Sequence, residues 1–269
     1  IILVVLDISS NMISFAATPY MIYSDLNGFG PSNIGVFWFS IYWILFALFL
    51  LTLSGFIWNR GAVKSFKERL NGFKSNTTRS YVMIVSLIGV FWISVSFFVY
   101  YNTQTLNTYN SIDKSEELAV SYENIYKKFN TLPLPKIIEA KYNIDIFPKE
   151  KSADVLALLT VINDSKKPID SIFLNVNKQC DLTFDFPNAS IISKDDDHDV
   201  HFYGINPPML PGDTLILKSN NKFETKGFSN GGETTSIVKN GSFLNNFKIL
   251  ANVGYDSNKE LSDKNKRKK

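Results

Sequence analysis

Residues 80–102, SYVMIVSLIGVFWISVSFFVYYN, form an apolar run that contains no charged residue. An α-helix rises about 1.5 Å per residue, so a helix of this length reaches roughly 30 Å, enough to cross the hydrocarbon core of a bilayer. Tyr81 lies near one end, and Tyr100 and Tyr101 lie near the other, where aromatic rings favour the membrane interface. A buried helix of a large water-soluble protein is the alternative, but a second apolar run just upstream favours a membrane helix. We therefore predict that residues 80–102 anchor the chain in a membrane.

The composition of the chain changes sharply at Asn102. The 269 residues have a net charge of +3 and are 45% hydrophobic, but these averages combine an aromatic-rich first part with a second part dominated by Lys, Asp, Asn and Ser. The second part, roughly 165 residues, is long enough for a hydrophobic core of its own. Cys180 is the only cysteine, which excludes an intrachain disulfide. Because Ile1 begins an apolar stretch, we interpret the chain as an internal piece of a longer polypeptide.

The first part predicts two transmembrane helices and their connections. We expect the end of a preceding membrane helix and an extracytoplasmic loop in residues 1–33, a transmembrane helix in 34–58, a basic loop in 59–79 and a second transmembrane helix in 80–102. Residues 59–79 contain six basic residues and one acidic residue, whereas residues 1–33 contain two acidic residues and no basic one. The positive-inside rule therefore places the basic loop in the cytoplasm and the second part outside. A nucleic-acid partner is not expected, because the short basic loop offers no nucleic-acid-binding fold.

The second part predicts an all-β sandwich preceded by a short helix. Residues 103–134 form a linker with an amphipathic helix, whose apolar side chains recur at helical spacing and include Tyr122 and Tyr126. Residues 135–255 contain several short runs of alternating apolar and polar residues, separated by turn sequences, which is the pattern of a β-sandwich. The run that begins at residue 155 is apolar on both faces, which predicts a strand that is central in its sheet or sandwiched between layers. Residues 256–269 form a charged tail that we expect to be loose.

One short segment carries the residue types of a metal site. Residues 195–201 read DDDHDVH, and its candidate metal ligands are His198 and His201. Zinc sites need three or four ligands at defined geometry, and two histidines three residues apart in a turn favour a solvated acidic loop instead. No His-Glu-x-x-His zinc helix and no phosphate-binding loop occurs in the sequence. We predict no catalytic residue and no cofactor site in this chain.

Several short segments resemble a known family of membrane proteins. Three in the first part are similar to the large bacterial fusions of an ABC-2-type permease with an M1-family aminopeptidase: MIYSDLNGFG (residues 21–30), WNRG (58–61) and SFKER (65–69). In the second part, six segments resemble the amino-terminal β domain of M1 peptidases: YKKF (126–129), PKI (135–137), NDSKKPIDSI (163–172), LPGD (210–213), NGSF (240–243) and GY (254–255).

This resemblance implies a membrane-tethered zinc aminopeptidase in a bacterial inner membrane, with the soluble domain in the periplasm. The family's Gly-x-Met-Glu-Asn loop and His-Glu-x-x-His helix have no counterpart in this chain, so no catalytic or zinc-binding residue is carried over. The chain would contribute membrane helices and a non-catalytic β domain, and the zinc would belong to a downstream catalytic domain. The implied partners are the bilayer, upstream membrane helices, that catalytic domain and peptides.

Two other functions fit the same sequence features. The first is a membrane-anchored protein whose extracytoplasmic β domain binds a ligand, as a binding protein or a sensor. A sensor would carry a cytoplasmic output domain, and residues 59–79 are too short to form one. The second is a permease subunit of an ABC transporter that carries an accessory β domain.

Overall fold

A computed structural model describes residues 10–21, 23–25, 27–57, 78–107, 109–177, 180–232, 236–245, 249–263 and 267. Most of the basic loop predicted at 59–79 lies outside these residues, as does the apolar stretch at 1–9. The chain divides into two compact units. The first, here called the helical unit, comprises Ile1–Ser111 and Lys226–Glu233, and the second, here called the β unit, comprises Ile112–Thr225 and Thr234–Lys269.

In the described part of the helical unit, two long helices coincide with the two apolar runs. Helix α1 spans Asn33–Ile57 and helix α2 spans Arg79–Tyr100, which a π-helical turn continues over Tyr101–Leu106. Both helices are long and apolar enough to cross a membrane. The hydroxyls of Ser94 and Ser96 donate hydrogen bonds to backbone carbonyls four residues earlier, at 2.9 and 2.7 Å. Each of these two hydroxyls is therefore satisfied within its own helix.

Aromatic rings fill the contact between α1 and α2. The indole of Trp92 stacks against the rings of Tyr42 and Phe49, with centroids 6.2 and 5.8 Å away. Gly89 leaves room for this packing, because a Cβ added there would lie 3.0 Å from Phe49 Cε2. Small residues at such a point allow two helices to approach closely.

A segment distant in sequence completes the helical unit. Residues 226–233, which the sequence analysis assigns to the β-sandwich, belong to the helical unit instead. The ring of Phe228 is buried, with its centroid 6.3 Å from that of Phe39 and 6.0 Å from that of Phe98. Two hydrogen bonds join Asn11 and Asn230, at 2.9 and 2.7 Å. These contacts help to fix the segment, and neither produces a pattern along the sequence.

The β unit begins with one helix and contains two four-stranded antiparallel sheets. Helix α3 spans Ile112–Tyr126. The first sheet has the order β1-β2-β7-β4, the second has the order β10-β3-β6-β5, and β8 and β9 form a hairpin. The strand bounds are β1 Lys136–Phe147, β2 Ser152–Ile162, β3 Ile169–Asn175, β4 Cys180–Asp185, β5 Ala189–Asp195, β6 Val200–Met209, β7 Thr214–Glu224, β8 Ile237–Val238, β9 Gly241–Ser242 and β10 Asn252–Val253.

The core of the β unit lies between its two sheets. Buried side chains from β2 and β7 of the first sheet and from β3 and β6 of the second pack in one cluster. Strand β2 supplies alternate inward residues: Ala153, Val155, Ala157, Leu159 and Val161. It pairs with β1 on one side and β7 on the other, so it is central in its sheet as predicted. The period-two pattern therefore locates the core of this unit.

Candidate functional site

Helix α3 packs on the β strands of its own unit. The sequence analysis places this helix in a linker that precedes the β domain, whereas the structure includes it in the β unit. Tyr122 is buried with Phe173 and Val200 in a second hydrophobic cluster. The ring of Tyr126 lies 5.2 Å from that of Phe173, and the ring of Phe129 lies 5.3 Å from that of Phe202. The apolar stripe of the amphipathic pattern is therefore the face that contacts the sheet.

The hydroxyl of Tyr122 links three segments of the β unit. It donates a hydrogen bond to Asn175 Oδ1 at 3.1 Å and accepts one from the backbone N–H of Asp256 at 3.0 Å. The amide of Asn175 in turn donates to the carbonyl of Gly254 at 2.7 Å. Burial raises the pKa of Tyr122, and the two hydrogen bonds at its oxygen partly offset this effect. Helix α3, strand β3 and the segment after β10 thus meet at one hydroxyl.

A second tyrosine of α3 forms a three-residue polar cluster with the acidic segment. Tyr126 donates from its hydroxyl to Asp195 Oδ2 at 2.6 Å, and His198 Nδ1 lies 2.7 Å from the same oxygen. The other oxygen, Oδ1, accepts from the backbone N–H groups of Asp197 and His198. We refer to Tyr126, Asp195 and His198 as the relay cluster. All three residues belong to the β unit.

The charges of the relay cluster follow from these contacts. Burial by itself raises the pKa of Asp195, but the hydrogen bonds from Tyr126 and His198 outweigh burial and hold this pKa below the usual value of an aspartate. Burial, together with the bond to Asp195, raises the pKa of Tyr126. Asp195 is therefore ionised and Tyr126 neutral at pH 7. Since an ionised carboxylate only accepts hydrogen bonds, the proton between His198 and Asp195 belongs to Nδ1.

The expectation that His198 is solvated is wrong. Its side chain is 8% exposed and lies beside two aromatic rings, with centroids 6.3 Å from Tyr122 and 5.8 Å from Tyr126. Its Nε2 atom is buried and has no hydrogen-bond partner among the described residues. The backbone carbonyl of His198 accepts from Lys259 Nζ at 2.8 Å. The Asp-rich sequence around His198 indicates a surface turn, whereas the imidazole itself is directed into the packing of α3.

The same expectation is wrong for His201. This residue lies in β6, is 9% exposed, and its Nδ1 atom is buried without a hydrogen-bond partner in the described part of the chain. Burial lowers the pKa of His201, the charge of Lys194 lowers it further, and Asp196 opposes both effects. His201 is therefore a neutral side chain at pH 7, next to the ring of Tyr203 at 6.4 Å.

In the described part of the chain, the two histidines lie in no cluster of potential zinc ligands. Among the described residues, no group of three or more His, Cys, Asp and Glu side chains is placed to hold a metal ion. His198 Nδ1 is already bonded to Asp195, and its other nitrogen is enclosed. We assign no metal ligand to either histidine. The relay cluster joins α3 to β5 and the turn after it, and this is the role that its geometry supports.

The carboxyl-terminal segment is also more ordered than its composition indicates. The sequence analysis expects a loose tail from residue 256, whereas Ser257–Lys259 form a 3-10 turn. Glu260 accepts from the hydroxyl of Tyr255 at 3.0 Å and forms an ion pair with Arg267. Arg267 also binds Glu123 of α3 at 2.7 Å. The hydrogen bonds from Arg267 and Tyr255 lower the pKa of Glu260.

Two of the segments that resemble the M1 β domain meet at a buried asparagine. The backbone N–H of Asn163 donates to the carbonyl of Asp213 at 3.0 Å, and the N–H of Gly212 donates back to the carbonyl of Asn163 at 2.9 Å. The side-chain amide of Asn163 donates to the carbonyls of Lys167 and Met209, at 2.9 and 2.8 Å. Gly212 has a φ of +86°, a conformation that suits glycine.

The sequence does not identify the polar partners of the two tyrosines of α3. Tyr122 and Tyr126 are recognisable there as apolar positions of a helix, but nothing local identifies Asp195 or Asn175 as the partners of their hydroxyls. The composition of residues 195–201 indicates an acidic loop, but it wrongly predicts that the two histidines are solvated. The available signal is that two tyrosines lie on the apolar face of the helix. A buried Tyr hydroxyl usually finds a hydrogen-bond partner, so polar partners for this face could have been predicted.

Comparisons with known proteins identify weak structural neighbours. No protein-family model and no curated protein matches the chain. A crystal structure of an M1 zinc metallopeptidase from Deinococcus radiodurans is similar to part of it, with 14% sequence identity and a TM-score of 0.29. The match covers 36% of this chain and 22% of that chain, so this chain spans about a fifth of its neighbour. Mutant forms bound to a Tyr-Ser-Ala substrate and to L-tryptophan give the same values. None of these comparisons concerns an ABC-2-type permease.

Proposed function

We propose that this chain anchors the amino-terminal β domain of an M1-type zinc aminopeptidase to a bacterial inner membrane. In this proposal α1 and α2 cross the membrane, and the β unit lies in the periplasm. The catalytic domain and its zinc belong to sequence outside this chain. The β unit would pack against that domain and form one wall of its peptide-binding cleft.

The exposed side chains of α1 and α2 are the observation that carries the membrane anchor. Large apolar residues cover the outward faces of both helices, for example Leu51 at 68% exposure in α1 and Leu87 at 69% in α2. The same faces carry others: Phe37, Ile44 and Leu48 in α1, and Met83, Val90, Phe91, Ile93 and Phe97 in α2. Water-soluble proteins rarely expose contiguous apolar surfaces of this kind. In a membrane these exposed apolar side chains would contact lipid hydrocarbon chains instead of water, so their exposure would not be unfavourable.

The folded positions of the resembling segments support the peptidase part of the proposal. Residues 163–172 and 210–213 are far apart in sequence but exchange backbone hydrogen bonds through Asn163. Residues 126–129 and 254–255 also lie together, since Phe129, Tyr126 and Tyr255 belong to one cluster. Segments that resemble one domain are therefore neighbours in one folded unit, as a true domain resemblance requires.

Membrane extraction tests the anchor. The chain is expressed in a bacterial host, and the membranes are washed with carbonate at high pH. We expect the chain to remain in the membrane pellet and to be released only by detergent. Release by carbonate alone would contradict the proposal for α1 and α2. Residues 112–269 without the two helices serve as a matched sample, which we expect in the soluble fraction.

An activity comparison tests the peptidase part. The purified chain, supplied with zinc, is assayed on an aminoacyl anilide beside a longer polypeptide that includes the sequence encoded after Lys269. M1 chemistry needs a metal to polarise the scissile carbonyl and a carboxylate to move protons. We expect chelator-sensitive hydrolysis from the longer polypeptide only. Chelator-sensitive hydrolysis by the chain itself, or none by the longer polypeptide, would contradict this assignment.

A further inference from the structure

Strand β1 is a long edge strand with one free side. It spans 12 residues, Lys136–Phe147, and stands first in the sheet order β1-β2-β7-β4. One side pairs with β2 along its whole length. No strand among the described residues pairs with the other side. Such an edge presents unpaired N–H and C=O groups that can template a further strand.

The core-facing side of β1 is incompletely covered. Ile144 lies opposite Val155, and Ile146 lies opposite Ala153, so both isoleucines share the face that carries the core. Val155 and Ala153 are buried, whereas Ile144 is 37% exposed and Ile146 is 40% exposed. Two branched apolar side chains on the core-facing side of β1 are therefore partly exposed. A strand added at the free edge would cover them.

We propose that the free edge of β1 pairs with β1 of a second copy of this chain, antiparallel and centred on Asn143. In this register Asn143 lies opposite its own copy, and Lys141 of each strand lies opposite Asp145 of the other. On the core-facing side, Tyr142 lies opposite Ile144, and Ala140 lies opposite Ile146. The two first sheets then become one continuous sheet, and both isoleucines gain an apolar neighbour. This inference does not depend on the proposed peptidase function.

Charge complementarity selects this register over its neighbours. The face of β1 away from the core carries Glu139, Lys141, Asn143 and Asp145. A register centred on Tyr142 would place Glu139 opposite Asp145, and one centred on Lys141 would place two lysines opposite each other. Like charges directly opposite are unfavourable in a sheet, and opposite charges are favourable.

A β-bulge excludes the remaining complementary register. Centring on Ala140 would place Glu139 opposite Lys141, but the paired segment would then include the irregularity between Ile137 and Glu139. Bulges interrupt strand pairing and protect edges. The register centred on Asn143 pairs residues 139–147, which lie beyond this bulge. Residues 139–147 are therefore both the regular part of β1 and the part whose charges attract when two copies of the strand pair antiparallel.

A disulfide test reads the register directly. Asn143→Cys is introduced with Cys180→Ser in the full chain, which is purified in detergent micelles and oxidised. Opposed residues in an antiparallel pair have Cα atoms about 4.5–5.5 Å apart, within the range of a disulfide. Asp145→Cys is the matched control, because its two copies would lie four residues apart along the strand, about 13 Å. We expect a disulfide dimer from Asn143→Cys and none from Asp145→Cys.

Charge reversal tests the same contact without a covalent bond. Lys141→Glu and Asp145→Lys should each weaken dimerisation about tenfold, since each replaces two attractive pairs by two repulsive ones. The double variant should restore the dimer. Circular dichroism of each variant checks that the strands still form.

Three results would overturn the proposal. Equal cross-linking of both cysteine variants would indicate random collision. A monomeric Asn143→Cys chain that reacts freely with maleimide would mean that the edge stays unpaired. A monomeric chain protected from maleimide would mean that another segment or a peptide occupies the edge.

Discussion

The hydroxyl of Tyr126 lies 2.6 Å from Oδ2 of Asp195, a residue 69 positions later in the chain. This bond joins the last turn of α3 to the end of β5. Its acceptor is an ionised carboxylate, so it belongs to the stronger class of protein hydrogen bonds. It holds the helix that follows Ser111, where the helical unit gives way to the β unit, against the strands.

Removal of this hydroxyl should destabilise the β unit. We expect Tyr126→Phe to lower the free energy of unfolding by about 1.5–3 kcal/mol, because Asp195 loses a donor while partly buried. Chemical denaturation followed by the β signal in circular dichroism measures the change. Tyr142→Phe is the matched control, since the structure shows no hydrogen bond to that hydroxyl among the described residues. An equal loss in both variants would show that removal of a phenolic hydroxyl in general, and not loss of the bond to Asp195, is responsible.

Replacement of His198 tests its buried position. Because the imidazole is enclosed and bonded to Asp195, we expect His198→Ala to lower the free energy of unfolding by about 2 kcal/mol. A solvated histidine would leave stability unchanged, which is the result that the sequence analysis leads one to expect.

His198→Ala and the corresponding variant His201→Ala test whether these histidines bind zinc. Melting temperatures of the parent, His198→Ala and His201→Ala chains are measured with and without added zinc. A metal that bound only the folded chain would raise its melting temperature. We expect zinc to shift none of the three melting temperatures. A zinc-dependent shift in the parent that disappears in either variant would contradict our assignment.

His201 should make the β unit less stable in mild acid. Burial lowers its pKa below 6.5, so the unfolded chain binds the proton more readily than the folded chain. The stability that this residue contributes is present above pH 6.5 and is lost as the pH falls through the folded pKa. We expect stability to fall between pH 7.5 and 5.0, and His201→Gln to reduce the fall. An identical pH profile in the variant would contradict this.

Asn163 should be the most sensitive polar residue of the β2–β3 turn. Its side chain is buried and bonds two backbone carbonyls, at Lys167 and Met209, that lose their donor in Asn163→Ala. We expect a loss of about 2–4 kcal/mol in the free energy of unfolding, in urea denaturation. Asp164→Ala is the neighbouring control, because that side chain is largely exposed. Its replacement should change stability by less than about 0.5 kcal/mol.

Membrane topology is open to direct labelling. With Cys180 replaced, a cysteine at position 75 should resist a membrane-impermeant thiol reagent in intact cells, because the basic loop is predicted to be cytoplasmic. A cysteine at position 257 should react, since Ser257 is exposed in the β unit. The reverse labelling pattern would contradict the charge argument.

The sequence by itself determined the elements whose signal is local and periodic. Two long apolar runs predicted α1 and α2, and a shorter run that is apolar on both faces predicted the interior position of β2 in its sheet. The amphipathic spacing within residues 103–134 predicted α3, because one face of a helix repeats every three to four residues. Each of these patterns lies within one short segment, so each can be recognised without knowledge of what covers its apolar residues.

Only the tertiary structure decided which faces meet. Tyr126 finds Asp195, and Phe228 joins α1 and α2, through contacts between residues far apart in the chain. The burial of His198 also depends on such contacts, because its neighbours in sequence are charged and predict solvent. Composition indicates whether a segment as a whole favours solvent. The burial of a single side chain depends on which residues the fold places next to it.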